Sequence, residues 1–126
     1  MGATRNTALN EMNFRGLSIN AATNTITIVP SDSGIIFLNQ NTANSTNYVL
    51  PAVADANGKF FWFYNAQTTQ NMVITAPSAI MMGDDTVTGT TATTAANNCG
   101  YAAMVFGDGT NYYLLEFGAL VWTHAA

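Results

Sequence analysis

Phe60-Phe61-Trp62-Phe63-Tyr64, opened by the turn cluster Asp55-Ala56-Asn57-Gly58, is the stretch on which the reading of the fold turns. Five consecutive aromatic residues favour a pleated, packed strand over a helix. Gly58 can supply a left-handed backbone position ahead of it at little steric cost. Side chains alternate across a sheet, so Phe61 and Phe63 share one face while Phe60, Trp62 and Tyr64 share the other. A strand of a sandwich needs one apolar face, and here both are large and aromatic. Each ring buries on the order of 150–250 Å². Two readings account for the second face. The strand is central and covered on both sides by its own chain, or Phe60, Trp62 and Tyr64 form an interface with another copy of the protein. The second is the preferred expectation, and these three residues are the candidate oligomer interface.

The same strand chemistry extends both ways from this segment. Toward the N-terminus, Tyr48-Val49-Leu50 ends at Pro51, Ile35-Ile36-Phe37-Leu38 follows the turn Ser31-Asp32-Ser33-Gly34, and Thr25-Ile26-Thr27-Ile28-Val29 alternates before Pro30. Toward the C-terminus, Met72-Val73-Ile74-Thr75 is expected to end at Pro77, and Ile80-Met81-Met82 forms a brief further piece. Thr86 to Asn98 is a low-complexity Thr/Ala/Asn run, expected as an exposed loop or a loose edge strand. Tyr101 to Phe106 and Asn111 to Phe117 flank Gly107-Asp108-Gly109-Thr110, a hairpin signal because Asp-Gly accommodates positive φ. Ala119-Leu120-Val121-Trp122 can add a last strand. Strands recur every eight to twelve residues or so with turn chemistry between them, which points to an all-β domain. The expected architecture is a small antiparallel sandwich or barrel, jelly-roll-like or related, over 24–126.

Residues 1–23 fit neither period and are expected to form an N-terminal arm with one short helix at most. Its apolar residues Leu9, Met12, Phe14 and Leu17 cannot build a core of their own. They are expected to dock on a neighbour or to pack under the chain's own sheet.

The composition favours a protein that is packed against others. Charged residues are 8% of the 126, against about 25% in typical soluble domains, and Thr and Asn together supply about a quarter of the chain. Solubility as a free monomer usually relies on charge. The net charge is −4, and the three bases Arg5, Arg15 and Lys59 are dispersed. They form no phosphate-tracking stripe and no membrane-binding patch, so neither nucleic acid nor an anionic membrane is an expected partner. No leader peptide and no membrane-spanning segment is expected. The one cysteine, Cys99, leaves no intrachain disulfide and suits synthesis in a reducing cytosol.

The inventory for catalysis is poor. His124 and Cys99 are single, and no flanking signature makes them a nucleophile pair. Ser33 lacks a nucleophile-elbow frame. Adjacent Asp84 and Asp85 would point to opposite faces of a strand and suit neither an acid/base dyad nor a glycosidase pair. Together with Asp108 they would make at most a weak calcium site without a loop frame. No residue set offers zinc ligands or a phosphate cradle, so no cofactor and no metal are expected.

The order Asp32-Ser33-Gly34, Phe37-Leu38-Asn39, Tyr48-Val49-Leu50-Pro51, Gly58 with Phe61 and Phe63, Ile74-Thr75, Ile80 with Gly83, and Gly107-Asp108-Gly109-Thr110 with Tyr112-Tyr113 resembles the small β-domains of tailed-bacteriophage capsid decoration (cement) proteins, and related domains of phage fibres. The resemblance covers about residues 24–117. It implies a structural protein that is not an enzyme. Such a protein would be made in the host cytoplasm and would sit as a homotrimer on the outer capsid surface of the virion, clamping adjacent major capsid protein subunits. It also implies that Leu9, Met12, Phe14 and Leu17 belong to a capsid-contacting arm. Phe60 and Trp62 depart from the polar residues usual at those positions. The alternative function is a fibre or spike domain that stacks a host-surface glycan on Trp62, Tyr64 and Trp122.

Overall fold

A computed structural model describes residues 14–82, 89–94, 99–117 and 122–125. Their strands are β1 (Gly16–Asn20), β2 (Thr25–Thr27), β3 (Ile35–Asn39), β4 (Thr46–Val49), β5 (Phe60–Asn65), β6 (Met72–Met82), β7 (Gly89–Thr93), β8 (Tyr101–Gly107), β9 (Tyr112–Phe117) and β10 (Thr123–Ala125). Short 3-10 turns at Pro30–Asp32 and Val53–Asp55 complete the regular structure. The fold is all-β, as composition and spacing imply. No helix among the described residues is long and apolar enough to cross a membrane.

The strand directions differ from the antiparallel expectation. β1 runs parallel to β3, β3 to β5, β2 to β4, β4 to β6, and β6 to β9. Antiparallel pairing is confined to β5–β8, β8–β9, β6–β7 and β7–β10. The strand path β1-β3-β5-β8-β9-β6-β4-β2 folds into two layers, with β7 beside β6 and β10 beside β7. The physical reason lies in the corners. The chain lays β1 in one layer and crosses to β2 in the other. It then returns to lay β3 beside β1 and β4 beside β2, and repeats the circuit with β5 and β6. Each strand thus enters its layer from the same end as its predecessor. The first three circuits are stacked strand–corner–strand units rather than hairpins, close in spirit to a short solenoid.

An asparagine marks the first corner of every unit. Asn20, Asn39 and Asn65 stand in register on β1, β3 and β5. Asn20 Nδ2 donates to Asn39 Oδ1 at 3.4 Å, and Asn39 Nδ2 donates to Asn65 Oδ1 at 3.1 Å. All three are buried. A buried amide is costly unless bonded, and this ladder bonds each to the next. On the other layer the matching row is Ile26, Tyr48 and Ile74. The core lies between the layers, where the Tyr48 ring on β4 meets Phe37 on β3 and Phe63 on β5, each at 5.7 Å.

Three local expectations are also corrected. Pro77 does not end a strand: β6 runs through it, because the pairing register with β7 shifts between Thr75 and Ile80 and no ladder bond needs the missing N–H there. Part of the Thr/Ala/Asn run is strand β7, held between β6 and β10 with Ala92 and Thr94 buried. Residues 14–20 are not a detached arm. Among the described residues β1 is the edge strand of the first layer, and Arg15 N donates to Gly34 O at 2.9 Å. Leu9, Met12, Asp84 and Asp85 lie outside the described residues.

Candidate assembly face

β5 is central in its layer, between β3 and β8, and among the described residues only its inward face is fully covered. Phe61, Phe63 and Asn65 are buried inward, while Phe60 and Trp62 are half-buried and Tyr64 is exposed on the outside. The register of the neighbouring strands extends this outer face across the whole layer. One cross-strand row reads Leu17, Ile36, Trp62, Met104, Leu115. The next reads Ile19, Leu38, Tyr64, Ala102, Phe117. A third, over β5, β8 and β9, reads Phe60, Phe106, Tyr113. None of these side chains is charged at neutral pH. At about 4.8 Å between strands and roughly 6.8 Å between alternate residues, the rows cover on the order of 400 Å². Of the exposed large apolar side chains among the described residues, every one but Val29 belongs to this face or to its margin at Phe14.

The face is pre-organised around Trp62. Phe117 stacks on the indole at 5.6 Å and 16°, Phe14 meets it edge-on at 5.0 Å, and Phe60 edge-on at 6.3 Å. Phe106 and Tyr113 stack beside them at 5.4 Å. Trp62 Nε1 is buried within the cluster and has no hydrogen-bond partner among the described residues. Beside it opens an apolar cavity of about 230 Å³, lined by Gly58, Lys59, Phe60, Trp62, Met104, Phe106 and Gly107. A dry cavity of roughly 150 Å³ already admits a benzene ring, so this one has room for an aromatic side chain. Charge sits at the margin: the Arg15 guanidinium donates to the carbonyls of Ser31 and Ser33 at 3.1 and 3.0 Å. Ser33 in turn pins the start of β5, its hydroxyl accepting from Phe60 N at 3.0 Å.

The two groups of residues singled out in the sequence therefore meet. Phe14 and Leu17, read as arm, lie on the same face as Phe60, Trp62 and Tyr64. Sequence reading missed the contribution of β8 and β9. The signal was present in the alternation of Met104 with Phe106 and of Tyr113, Leu115 and Phe117. It was hidden because the intervening residues are apolar too. The glycan-stacking trio is not brought together. Trp122 is buried, with its indole N–H donating to Ala102 O at 3.3 Å and its ring edge-on to Tyr101, and one plane of Trp62 is covered by Phe117.

The remaining candidates for chemistry are dispersed. Asp108 is an Asx-turn residue, accepting from Thr110 N and Asn111 N at 2.8 and 2.7 Å and from the Tyr113 hydroxyl at 2.8 Å. These bonds, led by the one from Asn111, hold its carboxyl below the usual carboxylate range. Cys99 is exposed. His124 lies in β10, its backbone opposite Ala92. Among the described residues no three His, Cys, Asp or Glu side chains are placed to share a metal ion. No protein-family model matches the chain, and no curated protein matches it significantly.

Proposed function

We propose that the protein is a structural assembly module, without catalytic function, that buries the outer face of the β1-β3-β5-β8-β9 layer against further copies of itself. The observation that carries this reading is the continuity of three uncharged rows, two of them across all five strands. A patch of this size is comparable to the largest apolar patch of an ordinary monomer, and such patches are often interaction sites. Its centre is an ordered aromatic cluster, the kind of group that dominates interface energetics. The scarcity of charge over the whole chain supports the same reading. In its finer form, which rests on the resemblance to phage decoration domains, the assembly is a homotrimer on the outer surface of a virion, clamping adjacent major capsid protein subunits. Several weak contacts made at once would give the clamp its avidity. Binding only the assembled lattice would stabilise that lattice by mass action.

The test is the mass of the purified protein by light scattering, followed by co-sedimentation with capsids lacking it. A mass that is a whole multiple of three chains and saturable co-sedimentation are expected. A protein that stays monomeric sinks the self-association, and a trimer that ignores capsids sinks the decoration reading alone.

A further inference from the structure

The strand path begins at β1 and ends at β2, so both of these edges belong to one unit, the first of the three stacked circuits. At the other end of the stack the third unit is closed by antiparallel strands, β8 on β5 and β7 on β6. The first unit has no such closure among the described residues. Its backbone is set to accept one. Asn47 N donates to Asn24 O and Ile28 N to Val49 O, so the even residues of β2 face β4, and Thr25 and Thr27 turn their N–H and C=O outward. On β1, Gln40 N donates to Asn20 O, so the even residues face β3, and Leu17 and Ile19 turn their N–H and C=O outward. Exposed edges are normally blunted by Lys, Pro or a bulge. Gly16-Leu17-Ser18-Ile19-Asn20 and Thr25-Ile26-Thr27 contain no Lys and no Pro and pair in unbroken register. Phe14, Leu17, Ile19 and Val29, half of the exposed large apolar side chains among the described residues, lie on or beside the strands of this unit.

We infer that this open end binds the open end of a second copy, in a two-fold dimer that pairs β1 of each chain with β2 of the other, antiparallel. The occupant must offer two strand edges at once, one per layer, at the separation set by the corner 20–25. A lone extended segment offers one. The first unit of another copy offers both, and a two-fold axis that exchanges the layers brings each β2 onto the partner's β1 while keeping inner faces inward. Head-to-tail stacking finds no matching pair of edges, because β8 and β7 close the third unit and β10 adds one outer edge there among the described residues, so the contact is isologous and stops at two chains. It uses the edges of the sheets and does not rest on the proposed use of the apolar face.

Leu115→Arg places a charge at an exposed position of the face and leaves the edges intact. The Leu115→Arg protein is expected at the mass of two chains by light scattering. Adding Thr27→Pro, which removes an outward N–H and no bond to β4, is expected to raise the dimer Kd at least tenfold. Thr27→Lys checks the same edge without a backbone change. In the unsubstituted chain, deuterium uptake at Leu17, Ile19, Thr25 and Thr27 is expected to fall as protein concentration rises. A monomeric, folded Leu115→Arg protein overturns the inference, as does a dimer indifferent to both Thr27 substitutions. Edge protection that ignores concentration and disappears on removal of residues 1–13 assigns the edge to the chain's own N-terminal segment, and also overturns it.

Discussion

At the scale of single residues, the buried polar groups decide more than the hydrophobic ones. Asn39 is fully buried at the middle of the corner ladder, donating to Asn65 and accepting from Asn20 and from Asn41 N. Asn39→Ala strands these partners in a dry site, and a loss of about 2–3 kcal/mol is expected in urea unfolding. Tyr48 presents the opposite case. Its hydroxyl is buried without a hydrogen-bond partner among the described residues, and burial raises its pKa against a smaller opposing influence of Asn20. Tyr48→Phe removes an unsatisfied group while keeping the ring contacts, so stability should be unchanged or about 1 kcal/mol higher. Tyr112 donates to Pro51 O at 2.5 Å, and burial, with a contribution from the Asp55 carboxylate, pushes its pKa up to about 12. The unfolded chain ionises near pH 10, before the folded one does. Stability is therefore full below pH 10 and falls as pH rises from 10 to 12. Thermal melts should show that decline, and Tyr112→Phe should make it shallower; a flat profile would contradict the assignment.

At the scale of elements, what joins the layers is a small number of close approaches. The loop carrying the Val53–Asp55 turn is bridged to the end of β8 through Asn57 and Gly107, and Gly58 N donates to Gly107 O at 3.0 Å. A Cβ on Gly107 would lie 2.6 Å from the Ala56 carbonyl oxygen, a backbone atom with no room to yield. Gly107→Ala should therefore cost about 1–3 kcal/mol by overpacking. Gly109 in the same hairpin needs its glycine for a different reason, a φ of 90° in the loop between β8 and β9. That hairpin was readable from Gly107-Asp108-Gly109-Thr110, because turn chemistry is local. The parallel pairing was not readable in the same way. Asn20, Asn39 and Asn65 recur at unequal intervals, since the corners and the outer loops differ in length, and a repeat without a constant period leaves no periodic trace.

At the scale of the whole molecule, the outer face of one layer and the open edge of the first unit set how the protein can assemble. Trp62 holds the centre of the face through three ring contacts. Trp62→Ala should weaken face-mediated association by roughly 30-fold or more, the equivalent of about 2 kcal/mol for a central aromatic. Sedimentation equilibrium of the variant against the unsubstituted protein reads this directly. Because no row residue is charged at neutral pH, the association should be insensitive to added salt, whereas an interface held by ion pairs would loosen. Association that collapses as ionic strength rises would place the contact somewhere other than these rows.

The order of residues alone determined the all-β class, most strand positions, the turns at Gly34, Gly58 and Gly109, and the two-sided aromatic character of β5. All of these follow from backbone preferences and side-chain alternation within a few residues. Tertiary structure decided the rest. It made strands from distant circuits parallel neighbours and turned residues 14–20 from an arm into an edge strand. It placed Met104, Phe106, Leu115 and Phe117 beside Trp62 while burying Trp122. Alternation says which side chains share a face of one strand, but which strands lie side by side, and so how far a face extends, depends on contacts between residues far apart in the chain.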